Sequence, residues 1–566
     1  MADAEDVRPS PPHLLPERER RALKAVAHLV VTRVLPKWRW WLPLLAAGIY
    51  LASLAVNFPR LIQAVYWNSD LAFMPLLAED LQSLRSLRSA GEVNMGNTPY
   101  YSTLWFLLMT KPLPAYRLIW AVGPYLLALA AVGLMAWSAW RVAGRWAALM
   151  TLAIAVGAGG LVLLTLLPPG ARVITWFANA ALGACLVFLA STRGRTSRSA
   201  LLLVGLGTAL LAGTTAGSDP LFLISGLGPF LGAAAIVALL DRDRESAATL
   251  IVASSICAGS IAIGVLTAWW MGSLGFTATY PGAGFEFATQ NELLTNVRTL
   301  VTDILVMGSG LFLGLPVSPI SVAMLVAGVV ALVAAGCPVV MLTRVLRRDS
   351  DLADGRGLRL FVSYWSLAAV GVAGSLVLTT NALEMGIASA RYTVPIFYSV
   401  AALAPVWAGR SGGKQALVAA SAALFIVLSA YFQRGIPAET SRLALVKEAP
   451  QLISFLEGEG LTRGYAAYWD AHALTWNSDM KVRVYPISEC RLPESATPCP
   501  FHIAIRESWY RPAEGRTFIL FNPTAASPLK AVPAPDLGPP SQVRFFGKLA
   551  VFVFDYDVAS RFTSPS

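Results

Sequence analysis

Residues 199–242 read SALLLVGLGTALLAGTTAGSDPLFLISGLGPFLGAAAIVALLDR, and Asp219 is the only ionisable side chain between Ser199 and Leu240. Two apolar runs flank the polar break Ser218–Asp219–Pro220. Each run is close to the roughly 20 residues a helix needs to cross about 30 Å of hydrocarbon. The stretch reads as two membrane spans joined by a short turn. A β-barrel is excluded, because its strands would alternate apolar and polar residues over about ten positions each.

The same pattern recurs along the chain. Of 566 residues, 56% are hydrophobic and 14% charged, whereas soluble domains carry about 25% charged residues. A soluble enzyme, a disordered chain and a collagen-like chain are excluded. Counting apolar runs gives about 11 spans. They lie near 41–57, 118–140, 146–167, 176–190, 199–214, 221–240, 247–270, 319–343, 360–380, 394–409 and 415–432.

The net charge of +11 does not point to nucleic acid. Lys and Arg collect in short segments: 8–39, Arg141 with Arg145, 193–198, Arg242 with Arg244, 344–359, and Arg410 with Lys414. That clustering between spans fixes orientation, with the basic side in the cytoplasm. With an odd number of spans the N-terminus is inside and the C-terminal part outside. The first span is expected to serve as an uncleaved anchor.

Three regions follow. Residues 1–40 form a basic cytosolic extension, and 18–38 have the pattern of an amphipathic helix on the inner leaflet. Residues 41–433 form the transmembrane domain, with long outer loops at 58–117 and 271–318. In the first loop, 70–91 reads as an amphipathic helix and 98–114 as an interfacial segment too short to cross. Residues 297–315 are expected not to cross, which keeps the parity. Residues 434–566 alternate helix and strand and are expected to form a small extracytoplasmic α/β domain. Cys490 and Cys499 there bracket a short Pro-containing loop and are expected to form a disulfide. The four histidines, His13, His28, His472 and His502, have no metal-ligand spacing. No internal repeat or pair of similar broken helices appears, which argues against a secondary transporter.

Ionisable residues beside hydrocarbon are costly and are kept for a reason. Asp70 follows the first span in YWNSD, with Trp67 and Asn68 before it and Glu79 and Asp80 later on the same helix. Ser69 or Asp70 could instead serve as that helix's cap. Asp219 marks the outer end of the hairpin, where Ser-Asp-Pro is also a good helix start. Arg391, beside Tyr392 in ARYTVP, lies outside, where basic residues are scarce. A guanidinium there could grip a phosphate or anchor at the head-group level. Glu384, Lys111, Arg117 and Arg172 belong to the same outer set.

Taken together, NSD at 68–70, SDP at 218–220, ARYTVP at 390–395 and GYAAYWDAHALT at 464–475 resemble the GT-C superfamily of integral-membrane glycosyltransferases. The resemblance implies a bacterial inner-membrane enzyme. It would move a sugar from a polyprenyl-phosphate donor to a glycan, lipid or protein acceptor outside the cytoplasm. It implies Asp70 as the base and Asp219, Glu79 or Asp80 as acceptor-orienting or as ligands of a divalent metal ion. Arg391 and Tyr392 would neutralise the phosphate, and aromatic residues such as Trp67 and Tyr280 would stack on sugars. Paired adjacent acids are common in that superfamily; here Asp70 stands alone. The alternatives are a transporter or flippase of lipid-linked glycans, and a glycan polymerase or ligase of another membrane class.

Overall fold

The structure is a computed structural model. It describes residues 35–81, 92–95, 100–157, 172–191, 198–278, 286–349, 352, 355–380, 386–433, 435, 440, 443–492, 495–524 and 537–562. Tyr280, Glu384 and the N-terminal helix expected at 18–38 lie outside these residues, apart from the start of the first span.

The helices of the first half are α1 (Leu35–Val65), α2 (Ser69–Asp80), α3 (Tyr101–Thr110), α4 (Tyr116–Ala143), α5 (Arg145–Val156), α6 (Val173–Ser191), α7 (Arg198–Ser218), α8 (Gly228–Asp241) and α9 (Arg244–Ser273). Then come α10 (Gln290–Met307), α11 (Pro319–Ala335), α12 (Cys337–Leu346), α13 (Arg356–Leu378), α14 (Val394–Ala408) and α15 (Gly412–Gln433). Every expected span contains a helix. Among the described residues, nine helices are long and apolar enough to cross a membrane. The other two expected spans hold α5 and α14, which are shorter at 12 and 15 residues. The Gly144 joint between α4 and α5 has φ +89°, a conformation that glycine adopts without steric cost. Helix α10 is not among the nine.

The turns sort to two ends of the bundle, as the charge pattern requires. At the basic end, Gly357 packs against Val142 and Ala190. Arg356 pairs there with Asp243 and Glu245, at 3.0 and 2.5 Å, and Arg359 with Asp241 at 2.7 Å. At the opposite end, the Ser102 amide donates to the Ser218 hydroxyl at 3.1 Å, so the first outer loop rests on the 199–242 hairpin.

Two short strands lie in the outer loops, β1 (Val93–Asn94) and β2 (Phe276–Thr277). The C-terminal domain adds α16 (Ala444–Gly458), β3 (Arg463–Ala467), α17 (Tyr468–Asn477), β4 (Arg483–Leu492), β5 (Ser495–Pro500), β6 (Ile505–Arg506), β7 (Thr517–Phe521), β8 (Gln542–Phe546) and β9 (Leu549–Phe554). Its six-stranded sheet has the order β5-β4-β3-β7-β9-β8. Strand β3 runs parallel to β4 and β7, and the outer pairs are antiparallel. This is the expected α/β domain, and Tyr468 and Trp469 open α17. Cys499 is disulfide-bonded; the side chain of its expected partner, Cys490, lies outside the described ones. A separate sheet of order β2-β1-β6 ties both outer loops to the domain.

Helix α2 is not the amphipathic surface helix its position suggested. Residues Ala72 to Ala78 are all buried. It packs against α17 on one side and α3 on the other. A helix apolar all round belongs in a core, and this core is the junction of bundle and domain. Phe73, Met74 and Leu77 meet Leu104, Trp120, Phe276, Tyr468 and Trp509 there.

The C-terminal end of α2 is the main polar clamp. Asp80 accepts from Arg506 Nη1 at 3.0 Å and Trp509 Nε1 at 2.8 Å, and Arg483 stands 3.6 Å away. Asp80→Ala strands these donors at a cost of about 1–3 kcal/mol. Faster hydrogen exchange in α17 and β6 is the expected result; unchanged protection would refute the clamp.

Two buried groups in α17 oppose each other in acid. Burial, partly offset by a hydrogen bond from Asn522, raises the Asp470 pKa from 3.8 to about 6. Burial lowers His472 from 6.5 to about 4. The Asp470 contribution to stability is full below its unfolded pKa and is lost as pH rises through about 6. The His472 contribution is full above its unfolded pKa and is lost as pH falls through about 4. Each is on the order of 3 kcal/mol, so between pH 4 and 6 they offset. Asp470→Asn removes one side only. Its melting midpoint is expected to fall on going from pH 7 to 5 far more than that of wild type; parallel curves would contradict this.

Candidate functional site

Asp70 enters the site from the first turn of α2. Neither Ser69 nor Asp70 caps the helix. Asn68 does, its side chain accepting from the Asp70 amide at 2.9 Å, so this residue is occupied in holding the turn. Trp67 packs against the apolar core of the C-terminal domain. The Asp70 carboxylate is left for other partners and is about one-third exposed. Oδ1 accepts from the Tyr468 hydroxyl at 2.5 Å, and Oδ2 lies 3.8 Å from Arg391 Nη1. Burial, then the Asp70 charge, pushes the Tyr468 phenol well above its ordinary pKa. Tyr468 therefore keeps its proton and donates.

Arg391 is presented by a 3₁₀ turn, Gly386–Thr393, ahead of α14. Its Nη2 donates to the Tyr392 hydroxyl at 3.2 Å, and its Cζ lies 5.1 Å from the centre of the Tyr392 ring. Burial works against the Arg391 charge, but Tyr392, Tyr100 and Asp70 outweigh it and raise its pKa. Arg172, just before α6, lies over the same ring at 4.5 Å. Tyr100 completes the group, electrostatically coupled to both arginines; burial raises its phenol to about 12. Its φ of +49° is an uncommon, left-handed conformation for a residue with a side chain.

Asp219 does not reach this opening. It is 2% exposed and fully engaged. Oδ1 pairs with Arg172 Nη1 at 2.8 Å and accepts from the Leu221 amide at 3.2 Å, while Oδ2 accepts from Thr175 at 2.8 Å. The direct catalytic place expected for it is not one this geometry offers. Glu79 and Asp80 also lie apart, since ten residues of helix put Asp80 about 15 Å beyond Asp70. Glu79 accepts from Tyr116 at 2.5 Å and Arg117 at 3.2 Å. Lys111 donates to the carbonyls of Ala78, Glu79 and Leu81, closing the end of α2. Both acids are engaged in contacts at the C-terminal end of α2, away from Asp70.

The structure therefore brings together Asp70, Arg391 and Tyr392 from the expected set. It adds Tyr468, Tyr100 and a central role for Arg172. Trp476 and Trp509 pack in the junction: Trp476 stacks on Tyr66 at 4.8 Å and Trp509 on Tyr485 at 5.4 Å.

No group of three or more His, Cys, Asp or Glu side chains that could hold a metal ion occurs among the described residues. Glu79, Asp80 and Asp219 are each saturated elsewhere, and the cation facing Asp70 is Arg391. Among the described residues these carboxylates do not converge into one ligand set.

No family model matches the chain, and no curated protein matches it in sequence. Solved structures include two likenesses. One is an oligosaccharyltransferase from Archaeoglobus fulgidus, solved with zinc and sulfate, at 11% identity and TM-score 0.41, over 78% of this chain and 62% of that one. The other is ArnT from Cupriavidus metallidurans in the apo state, at 15% identity and TM-score 0.37, over 92% of this chain and all of that one. The chain thus spans less than two thirds of the length of the first. Neither likeness assigns a role to any residue; roles rest on the side-chain geometry above.

Proposed function

We propose that the chain is a GT-C-type membrane glycosyltransferase that takes a sugar from a polyprenyl-phosphate donor and passes it to a hydroxyl of an extracytoplasmic acceptor. The observation that carries this reading is the pairing of a half-open carboxylate, Asp70, with a fixed guanidinium, Arg391, at one end of a lipid-embedded bundle. A phosphate on an isoprenoid chain can reach such a place only by lying in the bilayer with its head group at the surface.

The acceptor oxygen attacks the anomeric carbon while the bond from that carbon to the phosphate oxygen breaks. Asp70 takes the hydroxyl proton as the base. Arg391 stabilises the negative charge that develops on the departing lipid phosphate. Tyr468 holds the carboxylate in place by its one donated proton. A flippase or transporter would instead need ionisable groups lining a path through the bundle. Among the described residues, the nine long apolar helices carry few Asp, Glu, Lys or Arg side chains.

On this reading Asp70 and the donor phosphate compete for Arg391. Asp70→Asn is expected to abolish sugar transfer, falling by 10³-fold or more, while binding polyprenyl-phosphate donor at least as tightly as wild type. Retained transfer would remove the base assignment; weakened donor binding would remove the competition. The basic end of the bundle is placed in the cytoplasm and the C-terminal domain outside. A membrane-impermeant thiol reagent should label Lys548→Cys, in the exposed β8–β9 turn, from the outside of intact cells. Labelling only after lysis would reverse the orientation.

A further inference from the structure

We propose that the buried pair Asp219–Arg172 is a positioning device for the donor phosphate, acting through Tyr392 on Arg391; this rests on the donor reading above. Arg172 stands just before α6 and Asp219 just after α7. Arg172 is pinned by its 2.8 Å contact to Asp219, which is itself held by Thr175 and by the Leu221 amide. The pinned guanidinium lies over the ring of Tyr392, which is 6% exposed. Arg391 lies over that ring too and donates to its hydroxyl.

A cation over an aromatic face is attracted by the ring quadrupole. Tyr392 thereby couples two like charges that would otherwise separate. Asp219 cancels the charge of Arg172, so the second arginine supplies a fixed wall for the ring and little additional pull on an anion. The guanidinium that a phosphate meets is then Arg391, held at one height beside Asp70. Asp219 and Arg172 are positioning residues on this account, and Tyr392 is the element through which they act.

The test uses the full chain in lipid nanodiscs with undecaprenyl phosphate as the binding probe, alongside donor kinetics. Tyr392→Phe keeps the ring but loses the hydroxyl that accepts from Arg391, and should weaken binding less than Tyr392→Leu. Tyr392→Leu removes the ring and should weaken binding tenfold or more. Arg172→Gln with Asp219→Asn removes both charges without stranding either, and should weaken binding to a similar degree. Adding Tyr392→Leu to that pair should cost little more, since all three act on one step. In turnover, the donor KM should rise while kcat stays within about threefold. If Tyr392→Leu fails to fold, the neutral pair alone carries the test. Wild-type binding with unchanged affinity in the neutral pair, or effects that simply add, would overturn this proposal. Failure of wild type to bind the probe would overturn the donor reading, and this inference with it.

Discussion

The hydrogen bond from the Tyr468 hydroxyl to Asp70 joins side chains 398 positions apart in the chain. It crosses from the C-terminal domain to the first turn after the first membrane span. A carboxylate at the edge of hydrocarbon must be paired or solvated, because desolvation penalises its charge. Here one oxygen is satisfied by the domain and the other faces an arginine from the bundle. The remaining contacts of α2 serve the same junction. Its apolar side chains fill the core between the two units, and Asp80 and Glu79 tie its far end to the domain and to α4. Position 70 is therefore fixed by two units that each contribute to the site.

Charge balance explains how two arginines can crowd one ring. Both guanidiniums lie within about 5 Å of the Tyr392 centre, so they stand no more than about 10 Å apart. At an effective dielectric constant near 20 their repulsion is at least about 1.5 kcal/mol. The direct pair of Arg172 with Asp219 is worth about 4 kcal/mol on the same scale and opposes it. Removing Asp219 alone would reverse that balance and leave a buried guanidinium without its counter-charge. A buried pair broken on one side is strongly destabilising, so the neutral double replacement is the informative change there.

The spans were legible in the sequence because they follow from local composition. Twenty apolar residues have few alternatives to a membrane helix, and clustered Lys and Arg sort the turns. Asp70 and Arg391 were legible for a related reason, as charges at the margins of runs that otherwise exclude them. Glu79 and Asp80 have the same chemistry as Asp70 and sit on the same helix, yet their partners come from α4, β4, β6 and the turn after it. Sequence gives no measure of those distances. Tyr468 was hidden for the opposite reason: a tyrosine beside a tryptophan in a small α/β domain reads as core. The one cue was its place in the quoted segment GYAAYWDAHALT. The spacing over 70–91 suggested an amphipathic helix, but LAFMPLLA carries no polar face and Ala72 to Ala78 are all buried.

The two contacts of Asp70 differ in kind, and the difference suits the proposed chemistry. The Tyr468 contact is a short hydrogen bond; the Arg391 contact, at 3.8 Å, is beyond hydrogen-bond length. An anion arriving beside Arg391 meets Asp70 as a loose electrostatic partner. Asp70 stays oriented by Tyr468 meanwhile. On the proposed reading, the donor phosphate takes the place beside Arg391 and Asp70 is left to face the acceptor hydroxyl.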